Sequence, residues 1–271
     1  MDVKRFAGFQ VSRGQFSGVD DALPVEEALS VSINDIPFTV TMRSPGNETE
    51  LIRGLLFTEG ITGEITPDFH PEVRERNQYG DITAMDVRIQ EDYLLKPFAG
   101  NRSIAASSSC GLCGKVSFEE TITSASRKFI LEAVAVERMF ERVAEQQVAF
   151  KVSGGTHASG AFTRAGELML VMEDIGRHNA VDKVIGALLL NGRLGEADCI
   201  TVSGRISYEI ISKIMHAGIP VIAAVSAPSS KAIETADAAG ITLMAFCRPG
   251  KLTVYTHPER LEMGMEAGVK M

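Results

Sequence analysis

Tryptophan is absent from the 271 residues, and cysteine occurs only four times, at positions 110, 113, 199 and 247. Aromatic packing therefore rests on 13 Phe and 4 Tyr. So few cysteines in a chain of this length exclude a disulfide framework of the kind that stabilises small secreted proteins. No stretch reaches the ~18 uninterrupted apolar residues of a membrane helix, and the first ten residues lack the apolar core of a signal peptide. We expect a cytoplasmic protein with reduced thiols and no membrane partner.

Basic residues are also in deficit, with 27 Lys plus Arg against 35 Asp plus Glu and a formal net charge of -8. An acidic surface repels phosphate backbones, so nucleic acid is not an expected partner. An anionic ligand would need a local cluster of cations. The content of 45% hydrophobic and 23% charged residues is that of an ordinary globular protein. The length fits one large domain or two small ones.

The N-terminal hundred residues show patterns of both strands and helices. The first 25 or so carry no clear period and are expected to be loosely ordered or an edge strand. Residues 28–42 alternate around Asn34-Asp35, which predicts a hairpin whose buried face carries Val31, Ile33, Phe38 and Val40. Asn47, with Glu50 three residues later, resembles a capping box and predicts a helix that Gly60 ends. Residues 81–90 alternate again and predict a strand.

The C-terminal part alternates apolar strands with helices. A helix is predicted over 130–149 and a hairpin over 161–174. The remaining predicted strands are 198–204, 219–226, 241–247 and 252–256, and the helices between them are 206–217 and 229–239. Continuous apolar strands separated by helices are typical of a parallel sheet covered on both faces. We therefore predict an α/β fold for this part.

The pair Cys110 and Cys113 lies in a Ser- and Gly-rich run, residues 100–117, which predicts a functional loop between two halves. Three interpretations stay open. A dithiol redox motif would sit in a βαβ unit that this sequence lacks. A zinc site needs four ligands, so one chain lacks the second pair unless a dimer supplies it. A sulfur-carrying thiol would suit an exposed glycine-flanked loop, where Lys115 helps to lower the thiol pKa.

Two polar segments carry histidines. The run 153–160 contains His157 and resembles half of a zinc-deaminase site, but Ser159 stands where that chemistry needs Glu, and the cysteine pair lies upstream. Deaminase catalysis is therefore disfavoured. The run 173–179 opens a helix beside Arg177, an arrangement that suits an anion as well as it suits an ordinary capped helix. The residues alone assign no role to His157 or His178.

Three loops are expected at the carboxyl ends of the parallel strands, where ligands bind in open sheets. They are residues 203–205, 226–230 and 247–251. Each contains small residues that let a ligand approach the backbone, and two contain cations. Because a guanidinium presents a planar fork to phosphate, these loops predict a site for a phosphate-bearing ligand.

The chain resembles the formate dehydrogenase accessory sulfurtransferases, the FdhD family. The matching segments are SSSCGLCGK (107–115), GGTHASGAF (154–162), EDIGRHNAVDKVIG (173–186), SGRISYEI (203–210), AVSAPSSKAIE (224–234) and FCRPGKLTVYTHPERL (246–261). The resemblance implies a cytidine-deaminase-like three-layer α/β core that has lost deaminase chemistry, over residues 126–271. An α+β region over residues 1–125, ending in the cysteine loop, precedes it.

The same resemblance implies a sulfur carrier. A cysteine desulfurase would load sulfane sulfur onto Cys110 as a persulfide, with Cys113 as its partner. The sulfur would then pass to a molybdenum bis(molybdopterin guanine dinucleotide) cofactor destined for formate dehydrogenase. The segment Phe246, Cys247, Arg248, Pro249, Gly250 and Lys251 corresponds to the cofactor-binding segment, and a GDP-like guanine nucleotide could occupy the same site. Arg205 and Arg177 are expected to help hold phosphates. Family members dimerise, so a homodimer is expected.

Two other functions remain in competition. A chaperone that only holds the cofactor and docks to the dehydrogenase would need Arg248 and Lys251 but neither cysteine of the pair. A dimeric zinc site would bind stoichiometric metal and lose its fold on chelation. No metal site is expected within one chain.

Overall fold

Two main sheets organise the described residues, the first with one apolar core and the second with an apolar core on each face. The computed structural model describes residues 3–67, 69–98, 105–106 and 130–262. The first sheet has the strand order β5-β6-β3-β4-β7. Its strands are β3 (Glu27–Ile33), β4 (Ile36–Arg43), β5 (Pro71–Arg76), β6 (Ile82–Val87) and β7 (Ala105–Ala106). Helix α1 (Glu48–Thr58) covers one face of this sheet through Leu51, Ile52 and Leu56. The predicted domain boundary near residue 125 lies outside the described residues.

The predicted hairpin at Asn34-Asp35 is confirmed, but one of the four residues predicted on its buried face is exposed. Val31, Ile33 and Phe38 are buried, whereas Val40 is 45% exposed. The register slips between Val31 and Ser32, so a β-bulge on β4 shifts the alternation by one residue. A bulge cannot be predicted from a simple period of two. Thr39 and Thr41, on either side of Val40, are the buried residues of this part of β4.

Residues 3–24 form a two-stranded hairpin, so of the two expectations for the first 25 or so residues the loosely ordered segment is wrong. Strands β1 (Val3–Ser12) and β2 (Gln15–Pro24) pair along ten residues each and turn at Arg13-Gly14. Both turn residues have positive φ, as a two-residue hairpin turn requires. The alternation was hidden because the ribbon is exposed on both faces and so has no apolar side. Phe9 and Phe16 near its tip are 81% and 76% exposed.

The second sheet has six strands in the order β10-β9-β11-β12-β13-β14. The strands are β9 (His157–Phe162), β10 (Leu168–Asp174), β11 (Cys199–Val202), β12 (Val221–Ala224), β13 (Thr242–Arg248) and β14 (Lys251–Thr256). β10, β11, β12 and β13 run in one direction, and β9 and β14 run against them. The predicted parallel sheet is therefore mixed. Two hairpins, at residues 163–167 and 249–250, supply the antiparallel strands.

Helices cover both faces of this sheet, as expected. α4 (Arg177–Leu190), α5 (Tyr208–His216) and α6 (Ser230–Ala238) pack on one face, and α2 (Ala133–Gln146) packs on the other. A short helix, α3 (Val148–Ser153), follows α2, so the single helix predicted over 130–149 is divided in two. Strands β8 (Leu131–Glu132) and β15 (Leu261–Glu262) pair beside α2. Within the described residues no helix is long and apolar enough to cross a membrane.

Helix α1, which covers the first sheet, and helix α4, which covers the second, pack with their backbones in direct contact. An ideal Cβ placed on Gly54 would lie 1.9 Å from the backbone oxygen of Asp182, and one on Gly186 would lie 1.8 Å from that of Glu50. Only glycine fits at either position, because the two helix backbones are in contact. The predicted helix over 47–60 is thus confirmed. Its capping box is not, since Asn47 has φ 58° and makes no side-chain cap hydrogen bond.

Candidate functional site

The carboxyl ends of four parallel strands meet at one edge of the six-stranded sheet. β10 ends at Asp174, β11 at Val202, β12 at Ala224 and β13 at Arg248. The antiparallel β9 begins at the same edge with His157, which pairs with Asp174. The three loops that the sequence placed at strand ends all leave from this edge. Ligands bind at such edges because the loops there present backbone groups and side chains that the sheet itself does not use.

A polar cluster occupies the edge between β9, β11 and α4. The Ser203 hydroxyl lies 3.2 Å from Nδ1 of His157 and accepts a hydrogen bond from the Ala158 N–H at 3.0 Å. A Cβ on Gly204 would lie 3.3 Å from Cε1 of His157 and 3.2 Å from Cδ of Arg177, so these side chains close tightly around the glycine. Burial, together with the nearby Arg177, lowers the pKa of His157. Its imidazole is therefore neutral at neutral pH.

The second histidine of the edge is held by a carboxylate. Nε2 of His178 lies 3.1 Å from Oε2 of Glu209, the second residue of α5. The Ser207 hydroxyl donates to the same oxygen at 3.0 Å. The hydrogen bond with His178 lowers the pKa of Glu209, which stays ionised. His178 is thus fixed between the starts of α4 and α5, a contact that sequence patterns did not indicate.

Asp174 fixes the start of α4, where Arg177 and His178 lie. Its buried carboxylate accepts hydrogen bonds from the Gly176 N–H at 2.8 Å and the Asn179 side chain at 3.0 Å, and it pairs with Nζ of Lys183 at 2.7 Å. Neither side chain of the ion pair is exposed. The Ser44 N–H, from the first half of the chain, donates to the same carboxylate at 3.2 Å. Residues 173–186 therefore bind the backbone of Ser44 from the first half of the chain, in addition to forming part of the strand-end edge.

A cavity of about 300 Å³ opens between α2 and the ends of β11 and β13. Its walls are mainly apolar. Gly160 contributes to this packing, because a Cβ there would lie 2.7 Å from Val143 and force α2 away from the sheet. The lining residues on α2 and in the segment after it are Val136, Glu137, Phe140, Glu141, Val143, Ala144 and Gln147. Those on the sheet side are Thr201, Val202, Ser203, Val225, Cys247, Arg248, Pro249, Lys251 and Leu252.

The turn between β13 and β14 forms the rim of this cavity. Phe246 adopts φ 53°, a left-handed conformation that is strained for an aromatic residue, beside a register shift on β13. Nη1 of Arg248 donates to the carbonyl oxygens of Val225 and Cys247. The Gly250 N–H donates to Oε1 of Glu137 at 3.0 Å, which ties the turn to α2. The turn is thus held from both β12 and α2.

The two cysteines of the described residues are free thiols at the sheet. Cys199 and Cys247 are both buried, and burial raises the pKa of Cys247 to about 11. Burial raises the pKa of Cys199 as well. Because the thiolate is the nucleophile, neither residue is suited to sulfur chemistry at neutral pH. Cys247 serves as a wall of the cavity.

The predicted site residues thus fall into two neighbouring groups. Cys247, Arg248, Pro249 and Lys251 line the cavity, with Gly250 in the turn that shapes it and Phe246 in β13 just before that turn. Arg177 belongs to the polar cluster, and exposed Arg205 follows Gly204 beside it. Ser203 belongs to both groups. Cys110 and Cys113 lie outside the described residues, within which no group of three or more metal-ligating side chains occurs.

Sequence reasoning missed the contribution of α2. Val136, Phe140 and Val143 form the cavity wall that faces the strand ends, and Glu137 holds the turn. Their spacing of three and four residues was visible but identifies only a buried helix face. The Gly160 position, which permits the close approach of α2, carries no signal of its own in a single sequence.

The fold and the edge together define a mixed α/β protein with a cavity at the carboxyl ends of its strands. The FdhD/NarQ family model matches residues 24–262, and the chain belongs to that family. The sulfur carrier protein FdhD of Sulfolobus acidocaldarius is 38% identical over 264 residues, covering 97% of this chain and 100% of its own. The protein of the same name from Mycobacterium tuberculosis is 39% identical over 254 residues, covering 89% and 92%.

A solved structure shares the fold. The crystal structure of a formate dehydrogenase accessory protein from Desulfotalea psychrophila superposes with a TM-score of 0.74 at 22% sequence identity, covering 97% of this chain and 100% of that chain. At this identity the likeness concerns the fold alone. It confirms the α/β architecture with several sheets.

Proposed function

We propose that this protein is a sulfur carrier that accepts sulfane sulfur from a cysteine desulfurase and transfers it to a molybdenum bis(molybdopterin guanine dinucleotide) cofactor for formate dehydrogenase. The observation that carries the proposal is the match, over nearly the whole chain, to relatives named sulfur carrier protein. The accessory protein of Desulfotalea psychrophila supports formate dehydrogenase as the enzyme served. The expected setting is the cytoplasm.

The loading step is a thiol exchange. The Cys110 thiolate attacks the terminal sulfur of a persulfide on the desulfurase, a new S–S bond forms, and the desulfurase cysteine leaves as a thiolate. Cys110 then carries an outer sulfur that was transferred without net oxidation or reduction. In the release step, Cys113 attacks the Cys110 sulfur and the outer sulfur leaves as hydrosulfide with the bonding electron pair. The resulting disulfide must be reduced by a cellular dithiol before another cycle.

The described residues contribute the cofactor site in this proposal. The cavity beside Arg248 and Lys251 offers apolar walls and a cationic rim, and the cluster with Arg177 lies next to it through Ser203. Arg205 adds a further exposed cation. These residues fit a ligand with a flat ring and phosphates, such as either nucleotide part of the cofactor or free GDP. The cofactor is the substrate, and the protein holds it while sulfur is delivered.

Two further parts of the proposal concern the fold and the assembly. The second half is proposed to be cytidine-deaminase-like, supported by helices on both faces of a sheet in which the antiparallel β9 lies between two strands of the opposite direction. Deaminase chemistry is absent from the proposal because Ser159 is fully buried in β9 where that chemistry needs Glu. The homodimer is proposed on the family resemblance alone.

Intact-mass measurement tests the sulfur-carrier proposal. The protein is incubated with a cysteine desulfurase and free cysteine, and an added sulfur that reductant removes is expected on the wild type. Cys110→Ser should abolish it, whereas Cys199→Ala should retain it because Cys199 is buried and protonated. If wild type gains no sulfur while a known acceptor is loaded in parallel, the proposal fails. The alternative is then a cofactor chaperone, in which Arg248 and Lys251 matter and the cysteine pair does not.

A further inference from the structure

The cavity behind the β13–β14 turn has the wrong lining for a phosphate. Its walls are chiefly apolar, through Val136, Phe140, Val143 and Leu252, and the acidic side chains that α2 brings to it are Glu137 and Glu141. A phosphate placed there would be desolvated next to negative charge. The cations Arg248 and Lys251 are exposed and stand at the rim. The charges therefore orient a nucleotide with its base inward and its phosphates outward.

Glu137 is the better placed of the two carboxylates. It is half-buried, whereas Glu141, one turn further along α2, is exposed. The Gly250 N–H holds Oε1 of Glu137 at 3.0 Å, so the side chain is anchored on the α2 wall of the cavity. An ionised carboxylate has about four acceptor sites on its two oxygens, and this hydrogen bond uses one of them. The others can accept N–H donors from a ring bound between α2 and the strand ends.

We propose that Glu137 is the residue that selects guanine over other bases, by accepting hydrogen bonds from the ring N1–H and the 2-amino group. This inference rests on the proposed function and names the base-reading residue for the nucleotide part of the cofactor. Guanine offers two adjacent donors on this edge. Adenine has an unprotonated ring nitrogen there, which would face the carboxylate as a second acceptor. Two parallel N–H···O bonds to one carboxylate are the geometry that gives strong and directional recognition.

In this proposal a hydrogen bond connects the β13–β14 turn directly to the residue that contacts the base. The same Glu137 carboxylate that would read the base also accepts from Gly250, and Arg248 beside it is fixed to the Val225 and Cys247 carbonyl oxygens. The base contact and the phosphate contacts are therefore set at a fixed separation by three neighbouring residues. This explains why the turn needs Gly250, with φ 71°, to aim its N–H at α2.

Calorimetric titration of the full-length protein with GDP, IDP and ADP tests the proposal. IDP keeps N1–H but lacks the 2-amino group. We expect GDP to bind more tightly than IDP, and IDP more tightly than ADP. Glu137→Gln keeps an oxygen that can accept from Gly250 but loses the charge and one acceptor oxygen. It should weaken GDP binding on the order of 10–100-fold while changing ADP binding little.

The matched control is Glu145→Gln, which makes the same change of charge two turns further along α2, on an exposed side chain that does not line the cavity. It should leave all three affinities unchanged. If Glu137→Gln keeps the wild-type preference for GDP over IDP and ADP, the inference is wrong. It is equally wrong if wild type binds none of the three nucleotides at millimolar concentration. Persulfide loading of Cys110, measured on the same samples, reports on the sulfur-carrier function separately.

Discussion

At the scale of single residues, burial decides which thiols can react. Cys247 stands in the segment that resembles a cofactor-binding motif, yet it is 5% exposed and its pKa is raised to about 11. Proximity to the predicted ligand therefore does not make it a nucleophile. The sequence grouped Cys247 with Arg248 and Lys251 as binding residues. The structure shows that Cys247 is buried in the cavity wall, whereas Arg248 and Lys251 are exposed at its rim.

The raised thiol pKa predicts a dependence of stability on pH. The folded state binds the thiol proton more tightly than the unfolded state, so the contribution of Cys247 to stability is complete below the unfolded pKa of about 8.5. It should be lost as pH rises toward about 11. Urea unfolding at several pH values should show a shallower alkaline loss for Cys247→Ala than for wild type. Identical pH slopes would contradict the prediction.

At the scale of secondary-structure elements, most of the second half could be predicted. Strands β11 and β12 and helices α5 and α6 fall within the predicted ranges, because their apolar periods are long and uninterrupted. Strand β13 runs one residue beyond its predicted range, to Arg248. The same logic missed β1 and β2, whose side chains are exposed on both faces, and it misplaced Val40, where a bulge shifts the register. Periodicity reports burial on one face. It is silent where both faces are exposed and misleading where the register slips.

The contact between α1 and α4 is an element-scale prediction of its own. Gly186→Ala would place a Cβ 1.8 Å from the Glu50 oxygen and 2.7 Å from the Gly54 nitrogen. Alanine favours an isolated helix, but the clash with backbone cannot relax by a side-chain rotation. We expect a net loss of about 1–3 kcal/mol in the free energy of unfolding, as for other overpacked sites. Gly195→Ala, with no atom within 4 Å of its Cβ, is the control and should be nearly neutral in chemical denaturation.

At the scale of the whole molecule, the first half of the chain holds part of the edge used by the second. Asp174 and Lys183 form their buried ion pair at 2.7 Å, and both bond the backbone of Ser44, 130 or more residues earlier in the chain. Sequence reasoning could place Arg177 at a helix start. It could not show that residues 42–44 fix that start, since a contact between distant segments leaves no periodic trace.

The buried ion pair Asp174–Lys183 predicts that removing one partner lowers the stability strongly and that removing both lowers it less. Asp174→Ala would leave Lys183 charged and unpaired in the interior, which costs about 3–5 kcal/mol at buried pairs. Adding Lys183→Met should recover a part of that loss, because no buried charge remains. Asp20→Ala, which removes an exposed partner of Arg5, should cost less than about 1 kcal/mol. Thermal unfolding of the four proteins checks this, and no recovery in the double variant would refute it.

The Ser203 hydroxyl has one proton, which it can give either to Nδ1 of an Nε2-protonated His157 or to a ligand in the cavity. It lines the cavity, and it lies 3.2 Å from Nδ1 of His157 while accepting from the Ala158 N–H. A ligand group that accepts this proton from the cavity side would favour the tautomer of His157 in which Nδ1–H donates to the Ser203 oxygen. We therefore expect the imidazole resonances of His157 to shift when a hydrogen-bond acceptor fills this part of the cavity, and NMR of the imidazole nitrogens measures that shift.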